Sequence, residues 1–457
     1  MRHQISRFVV STILATSLTA SGALASEYVP GEVIVKYKDG SIRTQTVMNG
    51  LYDSAGVRKI RRYSAVMHGF EHLILNSNVK VEDAIRALQQ DRNVEWVQPN
   101  YILHIFPVTS RSNTARAVPT QELFATSTPG ALAPADRPVV QPAPAEVNPP
   151  VNDPQLTEDY GLSQIGAVDA WNTFKGTKDM IVADIDTGID YNHEDLAFNL
   201  WRNPNPGAQQ DVVGYDFVHH DGLPFDDNEH GTHTAGTIGA VGGNGVGTSG
   251  VAQRVSIMAL KFIGGDGSGT TADAVSAIDY AITHGAKVLS NSWGGPGDDT
   301  NKALQDAIDR ARAANILFVA AAGNDGADND GPNASVPASF NNDNIIAVAA
   351  TDNNDNLAGF SNFGAKTTHL AAPGVNIYST VPNNGYASLD GTSMACPHVA
   401  GAAALVWGLH PTWTYKQVKA VLLSTVDVLQ SLQGQLVTGG RLNVAKALQY
   451  NPAPTQN

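Results

Sequence analysis

"GTSMACPHVAG", residues 391–401, sets a serine and the chain's single cysteine three positions apart in a run of small residues. Glycine at 391 permits the sharp turn that presents a side chain at a helix start. Ser393 then stands where backbone N–H groups point outward and the helix dipole favours a developing negative charge. A hydroxyl in that place can attack a carbonyl carbon. Cys396 falls nearly one turn later, among Ala395, Pro397 and Val399, where a small buried side chain lets the helix pack.

Working back from this helix, short apolar runs alternate with helical stretches. The runs are "MIVADID", "SIMALKF", "KVLSNSW", "ILFVAAAGN" and "NIIAVAAT"; the helical stretches include "TADAVSAIDYAITHG" and "NKALQDAIDRARAAN". Continuous apolar strands interleaved with helices predict an α/β fold with a mostly parallel sheet covered on both faces. Sites in such sheets gather at the carboxyl ends of strands, and Asp186, Asn291, Ser292 and Asn324 lie at or near those ends.

Three further motifs carry chemistry. Asp186 follows a strand and precedes Thr187-Gly188; alone, such a triplet is more often a turn. His230 opens "HGTHTAGTIGA", the start of a tightly packed helix. A zinc pair with His233 is the rival reading, but the HExxH pattern is absent. Asn324 ends "ILFVAAAGN", and its carboxamide could donate to an oxyanion or simply sit in a left-handed turn. The chain order Asp, His, Ser separates this set from α/β-hydrolases and from chymotrypsin-like enzymes; it is the order quoted for subtilisin.

At these residues the chain resembles the subtilisin family of serine peptidases, most closely its thermitase-like members. "DTG", "HGTHTAG", "AAGN" and "GTSMACPHVAG" match the family motifs, and the similarity covers residues 153–450. The resemblance implies a subtilisin-like three-layer catalytic domain in which Ser393 attacks the peptide carbonyl, His230 relays its proton and Asp186 orients the imidazole. Asn324 and the Ser393 N–H would form the oxyanion hole. Two unpaired strand edges, Gly267-Ser268-Gly269 and Ser292-Trp293-Gly294, would pair with substrate. A pocket of Ala321, Ala322 and Gly323, with Ser335 near its base, implies an apolar or aromatic preference before the scissile bond. Calcium is the implied cofactor, with Asp153, Asp195, Val241, Asn244 and Val246 as oxygen ligands. His219 stands where a second thermitase-like site would need a carboxylate beside Asp216 and Asp221, so no second site is expected at neutral pH.

The N-terminus reads differently. Residues 1–25 combine Arg2 and Arg7, an apolar run and Ala23-Leu24-Ala25, the pattern of a secretory signal peptide. Residues 26–106 alternate strand and helix patterns as a small α+β domain. The resemblance makes it a ferredoxin-like propeptide that acts as an intramolecular inhibitor. Residues 107–152 are rich in Pro and Ala and read as an extended linker, and 451–457 as a short tail. Autoprocessing falls near Phe106, near Val151, or at both. The formal net charge of -14 argues against nucleic acid as partner, and no later stretch spans a bilayer. The expectation is a secreted endopeptidase, monomeric when mature, acting on proteins or peptides. The rival reading is a catalytically inactive subtilisin-like binding module.

Overall fold

The computed structural model describes residues 27–40, 45–62, 69–111, 151–296 and 301–450. The signal segment, residues 112–150 of the linker and the tail lie outside them. Among the described residues no helix is long and apolar enough to cross a membrane.

The N-terminal unit comprises β1 (Tyr28–Tyr37), α1 (Gln45–Ser54), β2 (Val57–Arg62), β3 (Phe70–Leu75), α2 (Val81–Leu88) and β4 (Val94–Ile105); beyond it, in the stretch expected to be linker, β5 (Thr109–Arg111) pairs with Ser388, Leu389 and Asp390 of the second unit. Strands pair in the order β4-β1-β3-β2, all antiparallel. Alternation along β1 sends Val33, Val35 and Tyr37 into a core with Met48, Tyr52, Ala84 and Leu88 of the two helices. Ile34 faces the other way and joins the core of the second unit. Helix α1 ends at Ser54, and Gly56, at φ +69°, turns the chain into β2.

The second unit opens with α3 (Tyr160–Gln164), α4 (Ala167–Ala170), β6 (Gly176–Asp186), β7 (Gly214–Asp216), α5 (His230–Gly239) and β8 (Arg254–Lys261). Next come β9 (Ser268–Thr270), α6 (Thr271–Thr283), β10 (Val288–Asn291), β11 (Trp293–Pro296), α7 (Lys302–Ala313) and β12 (Leu317–Ala321). It closes with β13 (Ser335–Val336), β14 (Ile345–Thr351), β15 (Leu370–Pro373), β16 (Ile377–Val381), β17 (Gly385–Asp390), α8 (Thr392–Leu409), α9 (Tyr415–Ser424), β18 (Asp427–Val428), β19 (Gly440–Arg441) and α10 (Val444–Gln449).

Its main sheet runs β18-β19-β15-β14-β12-β10-β6-β8-β7, and every ladder is parallel except β18 to β19. Successive strand residues face opposite layers. Val182, Ile257, Val319 and Val348 pack under α8, while Ala183, Met258, Phe318 and Ala347 pack against α6 and α7. This is the α/β sandwich that the apolar runs predicted.

Helix α8 is buried on all sides from Thr392 to Trp407, which its small residues allow. A Cβ on Gly401 would stand 2.8 Å from Val251 Cβ and 2.9 Å from Ile238 O, so glycine sets the approach of α8 to α5. Pro397 lacks an N–H and leaves the Ser393 carbonyl without its helical donor. Ser292 Oγ takes that place, donating to Ser393 O at 2.9 Å.

The two units share a sheet. Strand β4 pairs with β9 on one edge and β11 on the other, all antiparallel. Helix starts in the second unit also receive acceptors from β4. Asn100 Oδ1 accepts from Ala272 N at 3.0 Å, and Gln98 Oε1 from Ala303 N at 2.9 Å, satisfying N–H groups that a helix cannot pair internally. Lys36 Nζ bonds Asp306 of α7 at 2.7 Å.

Candidate active site

Strand β6 ends on Asp186, and the chain returns at α5, whose first residue is His230. A Cβ on Gly231 would stand 2.1 Å from Gly188 O, so glycine there lets α5 close onto the Asp-Thr-Gly turn. The His230 Nδ1 to Asp186 Oδ1 bond is 2.7 Å, with both side chains fully buried. Thr187 N donates to the same oxygen at 2.7 Å. Burial opposes a charge on His230, but the Asp186 carboxylate against it, with Asp226 and Glu229 beyond, outweighs this and raises its pKa above 6.5.

Asp226 and Lys261 brace the pair, and sequence reasoning missed both. Asp226 accepts from Thr187 Oγ1 at 2.9 Å, from Asn228 N at 2.9 Å and from Thr232 N at 2.8 Å. It thereby ties the turn to the start of α5. Lys261 Nζ, at the end of β8, donates to the Thr187 and Ile263 carbonyls at 2.6 and 2.9 Å and pairs with Asp227 at 2.5 Å. The available signal was faint: an Asp four residues ahead of the histidine, and a lysine closing the apolar run at the end of β8.

Asn324 follows β12 by three residues. Its Oδ1 accepts from Thr392 N at 2.9 Å and Thr392 Oγ1 at 2.8 Å, which fixes the Nδ2 hydrogens outward. Those hydrogens meet the Pro107 carbonyl at 2.8 Å. Ser393 is brought to the same place by α8, but with two departures from expectation. It is buried, and its Oγ donates to Ser292 O at 3.0 Å instead of to His230, whose Nε2 has no hydrogen-bond partner among the described residues. The segment 106–108 lies against the same place, with the Pro107 carbonyl on Asn324 and Val108 beside Gly391.

That segment also corrects the reading of the edges as unpaired. Ile102, Leu103 and His104 pair with Thr270, Gly269 and Ser268, and His104 and Ile105 pair with Gly294 and Trp293. Ile105 N donates to Gly267 O at 3.0 Å. Trp293 takes part through its main chain only. Its indole is fully buried, donates to Ile185 O at 2.8 Å and packs against Phe262. Phe106 is buried where a Cβ on Gly294 would come within 2.5 Å of both its ring and Val336 O. Ala321, Ala322 and Gly323 are likewise buried, and Gly323 N donates to Thr392 Oγ1 at 3.2 Å.

Cys396 is buried, with its thiol near Asn291 O at 3.7 Å, and burial pushes its pKa up to about 12. Such a thiol is a packing group, not a nucleophile.

The five residues expected around calcium come together from three segments, with Asp153 and Asp195 both bonded to the loop 241–248. Asp153 accepts from Gly243 N at 2.8 Å, Asn244 N at 3.1 Å and Gly245 N at 3.3 Å. Asp195 accepts from Asn244 Nδ2 at 2.7 Å and Thr248 N at 3.0 Å. Val241 contributes its N–H to the Asp195 carbonyl at 2.8 Å, and Asn244 Oδ1 accepts from Val246 N at 2.9 Å. Burial, with Asp153 nearby, pushes Asp195 up to about 7. Among the described residues no three His, Cys, Asp or Glu side chains cluster as metal ligands. Elsewhere His219 sits on Asp216, Nδ1 to Oδ2 at 2.8 Å.

Residues 177–445 match the Subtilase family, peptidase S8. The chain belongs to that family. Residues 15–100 of this subtilase match the fervidolysin N-terminal prodomain. The subtilase is 41% identical to thermitase of Thermoactinomyces vulgaris over 300 residues, 65% of this chain and 99% of that protein. It is 44% identical to subtilisin DY of Bacillus licheniformis over 275 residues, 60% and 93% of the two chains. It is 32% identical to the thermophilic serine proteinase of Bacillus sp. strain AK1 over 424 residues, 93% and 88%. The protein is a subtilisin-type serine endopeptidase that carries a prodomain.

Proposed function

We propose that this endopeptidase hydrolyses peptide bonds through an acyl-enzyme on Ser393, with His230 as the base, Asp186 as its orienting carboxylate and Asn324 as an oxyanion donor. The observation that carries the reading is the extended chain 102–106, held between β9 and β11 above the Asp186–His230 pair. A peptide held in this way presents a carbonyl to Ser393. Neutral His230 takes the hydroxyl proton as the bond to carbon forms, and later gives it to the leaving nitrogen. Asn324, locked by Thr392, needs no reorientation to bind the oxyanion, a contribution of roughly 3 kcal/mol. Phe106 in the pocket beside Gly294 supports an apolar or aromatic preference before the scissile bond. Residues 26–106 act as inhibitor, 107–152 as linker and 153–450 as peptidase.

We read the loop of Asp153, Asp195, Val241, Asn244 and Val246 as a calcium site. Two buried carboxylates share it, and among the described residues neither has an ion-pair partner. Carboxylates, a carboxamide and carbonyls make a hard oxygen set that fits calcium. Bound there, the ion would stabilise the fold and take no part in the reaction. The signal-peptide pattern of residues 1–25 supports export.

Wild type beside Ser393→Ala tests the assignment: the wild type shortens to a mature form and cleaves casein, while the variant stays a precursor. Equal maturation and activity in the variant would leave the inactive binding module as the reading.

A further inference from the structure

We infer that Pro107 turns the bond lying across the active site into one the enzyme does not cut, so that the prodomain inhibits as an intact strand and first self-cleavage falls at another bond. The inference rests on the Ser393 peptidase reading above.

The chain passes unbroken through the site and is held on both sides of it. Before the site, Leu103, His104 and Ile105 pair with β9 and β11, and Phe106 fills the pocket beside Gly294 and Val336. After it, Val108 Cγ1 lies 3.3 Å from where a Cβ on Gly391 would stand, and residues 109–111 pair with Asp390, Leu389 and Ser388 of β17. With Phe106 in the pocket, the bond offered to Ser393 is Phe106–Pro107.

Hydrolysis of that bond requires Ser393 Oγ to add to the Phe106 carbonyl carbon, with its proton passing to His230 Nε2. The C–N bond then breaks only as Nε2 returns a proton to the leaving nitrogen, which becomes the amine of Pro107. In any other residue that nitrogen carries a hydrogen. In proline it carries Cδ, tied back through the ring, and φ is fixed. Pyramidalising this nitrogen toward His230 drives the ring into the space the imidazole and Ser393 need, so proton delivery fails.

The groups of the site are engaged accordingly. Asn324 Nδ2 holds the Pro107 carbonyl, one residue past Phe106, Ser393 Oγ is turned to Ser292 O, and among the described residues His230 Nε2 is without a hydrogen-bond partner. Each remains off the Phe106 carbonyl while the strand stays whole.

The test uses the full chain as wild type, Pro107→Ala, Ser393→Ala and the double variant, with N-terminal sequencing of every product over time. Wild type should yield no product beginning at position 107, and Pro107→Ala should yield one. A wild-type product that begins at Pro107, or identical cut sites in wild type and Pro107→Ala, would overturn the inference. Processing and casein hydrolysis undiminished by Ser393→Ala would instead overturn the peptidase reading beneath it. As a second arm, matured enzyme is given the peptide LHIFPVTSR and its Pro107→Ala counterpart. The proline peptide should be recovered intact while competing with substrate. The alanine peptide should be cut after Phe at least about a hundredfold faster, the low end of what general acid catalysis contributes. Equal cleavage of the two also sinks the idea.

Discussion

Asp184 and Asp186 lie two residues apart on β6 and so point to the same face of the sheet. Asp186 meets His230; Asp184, equally buried, is bonded by Thr234 Oγ1 at 2.9 Å. Burial, and then the neighbouring Asp186, raise the Asp184 pKa well above 3.8, which favours its neutral form. Asp184→Asn should therefore preserve kcat/KM, whereas Asp186→Asn should lower it by about four orders of magnitude, measured on a chromogenic peptide. The pH profile gives the same distinction its sign. His230 must be neutral to accept a proton, so activity falls as pH drops through its raised pKa. In Asp186→Asn the acid limb of the remaining activity should move to lower pH, and in Asp184→Asn it should hardly move. Asp186, His230, Asn324 and Ser393 were legible because each closes or opens an element in a glycine-bearing motif. Asp226, Lys261 and Thr392 were not, because their partners lie on other strands and helices and no local pattern marks them.

Elements were easier to read than their ends and contacts. The apolar runs of β6, β8, β10, β12 and β14 are buried along almost their whole length, so continuous hydrophobicity sufficed. The short helix α3 shows what pattern cannot convey. Its N-cap, Asp159, accepts from Gly161 N at 2.9 Å, a favourable place for a carboxylate, yet the side chain is buried and burial pushes its pKa up to about 7. A carboxyl that holds its proton more tightly folded than unfolded lowers stability as pH rises from about 3.8 to about 7, with no further change above. Asp159→Asn keeps the capping oxygen and removes the titration. Its Tm should exceed that of wild type at pH 8, by up to roughly 4 kcal/mol of stability, and the gap should close toward pH 4. A gap independent of pH would mean that Asp159 stays ionised in the fold. Both are read in one calorimetric series on the Ser393→Ala precursor, which cannot digest itself on the proposed mechanism.

At the scale of the whole molecule, the sequence announced two units and a linker through changes of composition, but not how the first lies on the second. Gln98 and Asn100 against the starts of α7 and α6, and β4 between β9 and β11, are contacts about 170 to 205 residues apart in the chain. The proposed calcium loop is long-range in the same way. Asp153 enters from the segment before α3, Asp195 from beyond β6, and the loop after α5 closes on both. Two buried carboxylates that meet at one loop are costly to keep charged without a cation: burial first, and then the neighbouring Asp153, push Asp195 up. A cation that binds only the folded protein adds stability by mass action, about 2.7 kcal/mol at a hundredfold excess over its Kd. For a domain of this size, excess chelator should then lower Tm by about 4 °C, and added calcium should restore it. The control decides between a metal effect and a general one. Asp195→Asn removes one carboxylate and its repulsion with Asp153, so its Tm should respond to neither chelator nor calcium. A wild-type Tm unmoved by chelator, or a variant that responds as the wild type does, would take calcium away from this loop.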